Sequence, residues 1–80
     1  MSAQMDSMVD ELAKETLALA EATGDAELVQ EMSKLLATSS TTTQEAFMAA
    51  IRVRQAVYRG RAFLKQKAKD AKAARQTPET

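Results

Sequence analysis

Apolar residues return every three or four positions through most of this chain. Glycine and proline, which would interrupt that spacing, number only two and one in 80 residues. Such a period puts the apolar side chains on one face of an α-helix, whereas a half-buried strand would alternate. Sixteen residues are alanine, the strongest helix former and a small contributor to burial. The composition therefore predicts an all-α fold. Eighty residues allow one domain, and a single core of this size typically supplies only about 3–5 kcal/mol. Neither a disulfide nor a Cys/His zinc site can add to it, because both residue types are absent. Self-association or a partner is the remaining source of stability, so a dimer is an expectation.

The spacing predicts a first helix over about residues 4–22, with Met5, Met8, Val9, Leu12, Thr16, Leu19 and Ala20 as its apolar stripe. Gly24 is placed to close it, since glycine readily takes the left-handed conformation at helix ends. Asp25 then serves as N-cap of a second helix over 26–37, whose face is Leu28, Val29, Met32, Leu35 and Leu36. The hydroxyl-rich run 38–43 predicts a loop, because such side chains compete for backbone hydrogen bonds. Thr42 with Glu45 matches a capping box and opens a third helix over 43–74. At 1.5 Å per residue that helix approaches about 45 Å, against about 27 and 18 Å for the others. The fold class expected is a small three-helix bundle, two short helices packed on one long C-terminal helix and covering its front two-thirds. Residues 1–75 form the domain, and 76–80, with Pro78, form a disordered tail.

Charge is sorted along the chain although the net charge is zero. Nine of eleven basic residues lie at or after position 52, and eight of eleven acidic residues at or before 31. Opposite ends of this kind attract each other within a fold, between copies, or toward a charged partner.

Catalysis has little to work with here. No histidine is available for acid–base chemistry at neutral pH, and the carboxylates fall on predicted solvent faces. Gly24 and Gly60 stand alone, so no phosphate-cradling loop exists. The pairs Asp6/Asp10, Glu11/Glu15 and Glu27/Glu31 have helical spacing for a shared cation, but a solvated acidic face is the simpler account. We expect no enzyme, catalytic residue, cofactor, metal or small-molecule substrate. The longest apolar run, 46–51, is far short of the about 20 residues a membrane span needs. A cytoplasmic protein without membrane contact is the expectation.

What is left is a surface. The third helix carries a heptad seam of Ala46, Ala50, Val53, Val57, Gly60, Leu64, Lys67 and Ala71. Arg54 and Arg61 lie beside it one heptad apart, either snorkelling to water or pairing with acids of the other helices or of a second copy. Met48, Arg52, Arg59 and Phe63 occupy the opposite face, where exposed Met, Phe and Arg suit an interface. A protein–protein interaction module follows, a regulator, adaptor or assembly subunit. Its partner, or a second copy, would be bound through Met48, Arg52, Arg54, Arg59, Arg61 and Phe63. The alternative is a nucleic-acid-associated protein using Lys65, Lys67, Lys69, Lys72 and Arg75. Against it stand the neutral total charge and the scarcity of aromatics for base stacking.

Overall fold

In the computed structural model the chain is described over residues 3–76, with side chains for residues 6–75. It folds as α1 (Ala3–Thr23), α2 (Leu28–Ala37) and α3 (Thr41–Gln76), each packed on the other two. This is the all-α three-helix bundle that the periodicity predicts.

The helix ends follow from a few side chains. Gly24 has φ +69°, and the Asp25 N–H reaches back to the Ala20 carbonyl at 3.0 Å. That six-to-one bond across a left-handed glycine closes α1 by satisfying an orphan carbonyl. Asp25 is not the N-cap expected for α2, which starts two residues later. Its Oδ1 accepts the Glu27 N–H at 3.0 Å in a turn, and α2 begins only at Leu28, after an N-cap Glu27 with no side-chain cap bond. The third helix corrects the capping box. Ser40, not Thr42, is the N-cap: its Oγ accepts the Thr43 N–H at 3.1 Å while its carbonyl accepts the Gln44 N–H at 3.0 Å. The threonines 41–43 are helical, so the loop shrinks to residues 38–40. Ser40→Ala should therefore cost about 1 kcal/mol in urea unfolding, whereas Thr42→Ala should cost almost nothing. Equal losses would reinstate the capping box.

The core is small: Val9, Ala13, Phe47 and Ile51 are buried, with Leu12, Leu17, Val29, Met32, Leu36, Ala46, Met48 and Ala50 packed around them. Both short helices turn most of their expected faces inward: Val9, Leu12, Thr16 and Ala20 on α1 and Leu28, Val29, Met32 and Leu36 on α2 are buried or half-buried. On α1, Met8 and Leu19 are exposed, while Ala13 is fully buried and Leu17 half-buried. The Met5 side chain lies outside the described residues. On α2, Leu35 faces solvent and Ser33 is buried in its place. Both buried hydroxyls find hydrogen-bond partners. Gln44 donates from Nε2 to Ser33 Oγ at 2.8 Å, and buried Thr16 donates its hydroxyl to the Leu12 carbonyl at 2.8 Å. Among the described residues no buried side-chain polar atom lacks a partner, so neither hydroxyl carries the penalty of an unmet hydrogen bond.

The greatest departure is in coverage. The bundle covers α3 only to Arg54, and every residue from 55 to 75 is exposed. With 36 residues α3 is longer than expected, about 54 Å at 1.5 Å per residue. Its last 31 Å or so therefore project, and the chain spans 66 Å in its longest direction against 13 Å in its thinnest. The expected two-thirds coverage fails because α2 is only 10 residues long and α1 leaves an open groove against α3 beyond residue 54. Gln76 ends the helix rather than beginning a tail. Residues 77–80, including Pro78, lie outside the described residues.

Candidate functional site

Arg54 pairs with Asp10 at the bundle's edge. Its Nε donates to Asp10 Oδ1 at 2.9 Å and its Nη2 to Asp10 Oδ2 at 2.7 Å. A planar guanidinium matched to a carboxylate in this two-point manner fixes orientation as well as charge. The pair joins α1 to α3 across 44 residues of sequence. Both side chains remain partly exposed, so the energy is that of a surface pair, at most about 1 kcal/mol. Arg54 is thus the arginine that meets an acid. Arg61, one heptad on, is exposed and makes no ion pair among the described residues.

Beyond this pair an open groove of about 820 Å³ separates the two helices. Leu17, Val53, Val57 and Tyr58 line it with apolar surface, and Asp10, Lys14, Glu21, Arg59 and Arg61 bring charges of both signs. Its floor is the heptad seam of α3. Val53 is 61% exposed, Val57 46% and Leu64 66%. From the sequence these three belonged to the internal seam. Val53 and Val57 are uncovered because they face the open groove rather than the core, and Leu64 lies beyond the groove.

The sequence-derived surface divides. Met48 is not on an outer face: it is half-buried and packs against the core. Arg54 is engaged with Asp10. Arg52 and Arg59 are exposed without ion pairs among the described residues. Phe63 is 60% exposed, with the Lys67 Nζ 5.8 Å from its ring centroid, a cation–π contact at the long end of the useful range. Lys65, Lys67, Lys69, Lys72 and Arg75 are all exposed on the projecting part. The residues that sequence reasoning left out are Val53, Val57, Tyr58 and Leu64. Their heptad spacing was visible, but nothing local distinguishes a covered seam from a bare one.

The chain matches no protein-family model, and no curated protein or solved structure matches it. The surface itself must carry the argument. Among the described residues no group of three or more metal-ligating side chains could hold an ion, and no helix is long and apolar enough to cross a membrane.

Proposed function

We propose that this protein is a non-enzymatic interaction module whose binding surface is the bare seam of α3, flanked by Arg59, Arg61 and Phe63. The observation that carries it is the exposure of Val53, Val57 and Leu64 on one heptad face. Contiguous apolar surface of this kind, rimmed by charge, marks an interaction site more often than scattered single exposures do. A partner helix laid along the seam would bury these side chains and Tyr58 together, in the manner of helix-in-groove recognition. The chain has no His or Cys, the side chains that most often relay protons or act as nucleophiles near neutral pH.

The test is site-specific photo-crosslinking in cells that express the chain. A benzophenone amino acid at Leu64 should capture protein, and the same group at Ala62, on the far side of α3, should capture several-fold less, because a helix presents residues two apart to different neighbours. Equal capture at both positions, or capture of nucleic acid alone, would count against the seam.

A second reading rests on the projecting end. Residues 55–75 hold seven basic residues against one acidic residue, all exposed. If nucleic acid is the partner, neutralising about five phosphates gives a slope of log affinity on log salt near −4 to −5. Reversing Lys65, Lys69 and Lys72 to glutamate should then abolish binding while Val57→Ala leaves it intact.

A further inference from the structure

The seam reading leaves its occupant open, and the inference drawn next rests on that reading. We infer that the occupant is a second copy of this chain, with the two α3 helices antiparallel and crossing midway between Val57 and Gly60. Three observations converge on this arrangement. The first is register. In an antiparallel pair of heptad helices, each seam position meets a seam position of the other copy, and the paired numbers have a constant sum. Setting Val57 against Gly60 of the second copy also sets Val53 against Leu64, Ala50 against Lys67 and Ala46 against Ala71. Valine fills the space glycine leaves, the lysine stem lies over alanine with its ammonium in water, and the two exposed large residues cover each other. A parallel pair would instead stack Gly60 on Gly60 and Lys67 on Lys67, leaving a void and a repulsion in the layers on either side of Leu64.

Charge is the second observation. Residues 3–40 carry eight acidic and two basic residues, a net of −6, and residues 55–75 carry seven basic and one acidic, a net of +6. Parallel packing would put two +6 ends side by side. Antiparallel packing lays the +6 end of each copy over the −6 portion of the other, which favours the encounter and selects the orientation.

The third is which flank faces which. α1 packs on the flank of α3 that holds Phe47 and Arg54. Followed along the heptads, that same flank carries Arg61, Lys65, Lys72 and Arg75. Antiparallel pairing brings like flanks together. At this register Arg61 of the second copy comes level with the Asp10–Arg54 pair, and its Lys65, Lys72 and Arg75 run alongside the first half of α1, where Asp6, Asp10 and Glu11 are exposed. On the other flank Phe63 meets Ala56 of the second copy, a large side chain over a small one.

The experiment is oxidative cross-linking combined with light scattering. Because the chain has no cysteine, Val53→Cys and Leu64→Cys each introduce one thiol at an exposed site, and circular dichroism confirms that each variant retains its helices. The unmodified chain should scatter as twice its 8.7 kDa mass. A mixture of the two variants should form the mixed disulfide roughly tenfold faster than either variant alone forms its own. In the antiparallel register Val53 of one copy lies about 16 Å along the axis from Val53 of the other, beyond the about 7 Å reach of a disulfide between Cα atoms. Fast disulfides within single-variant samples would establish a parallel pair and overturn the inference. A mass of one chain at all concentrations would overturn it too. Protein capture from Leu64 would still stand in that case, so the failure of self-pairing is separable from failure of the seam.

Discussion

Phe47→Ala should leave the chain largely unfolded. Phe47 is fully buried, and it is the largest of the four buried apolar side chains among the described residues. Truncating a buried phenylalanine removes its transfer energy and leaves a cavity that the surroundings fill only in part, a loss of about 3–5 kcal/mol. A lone core of this size supplies about the same amount, so no reserve remains. Helical circular dichroism at room temperature and urea unfolding would show it: most of the 222 nm signal should disappear, and the variant should have no cooperative transition. Retention of a transition within about 1 kcal/mol of the parent would mean that the core lies elsewhere. Leu35→Ala is the control. Leu35 is exposed on α2 and is no part of the α3 surface, so its stability change should stay within about 0.5 kcal/mol.

Ala13→Leu tests the same core from the opposite direction. Ala13 has no exposed surface and shares the cluster with Phe47, Ile51 and Val9. Three added carbons have nowhere to go without separating α1 from α3, and overpacking of this kind costs about 1–3 kcal/mol. Ala18, on the exposed side of the same helix, should accept leucine at almost no cost, because alanine and leucine differ little in helix propensity. Thermal melts of the two variants should separate by several degrees, a shift of about 4–8 °C per kcal/mol for a domain this small. A stable Ala13→Leu variant would show that the interface between α1 and α3 is looser than its burial implies. Separation at this crossing would also carry Asp10 away from Arg54, so the charged pair should loosen along with the core.

Much of this fold was legible in order along the chain. Three runs of helical spacing gave three helices, Gly24 gave the stop of α1, and the hydroxyl-rich segment gave a break before α3. Each of these depends on residues within about one turn of one another, where propensity and capping act directly. The errors were local in another sense. Thr42 with Glu45 and Ser40 with Thr43 are both reasonable caps by residue type, and only the backbone decides which hydroxyl receives the bond. Likewise Leu35 looked better for the core than Ser33. Ser33 is the one buried, and Gln44, from another helix, meets its hydroxyl.

The candidate surface was half legible. The seam and its flanking arginines were read from spacing, but Arg54 and Arg61 are indistinguishable by that measure. One is held by Asp10 and the other stands free of ion pairs among the described residues. Met48 was assigned outward from its angle on the helix, whereas the bundle wraps far enough to half-bury it. Helix, charge order and the heptad seam were determined by the sequence alone, since each is a property of near neighbours or of simple counting. Which stretch of that seam is half-covered by the bundle and which is left bare was decided only in three dimensions. It depends on where α1 crosses α3 and on how short α2 is, and those are set by contacts between residues some forty positions apart.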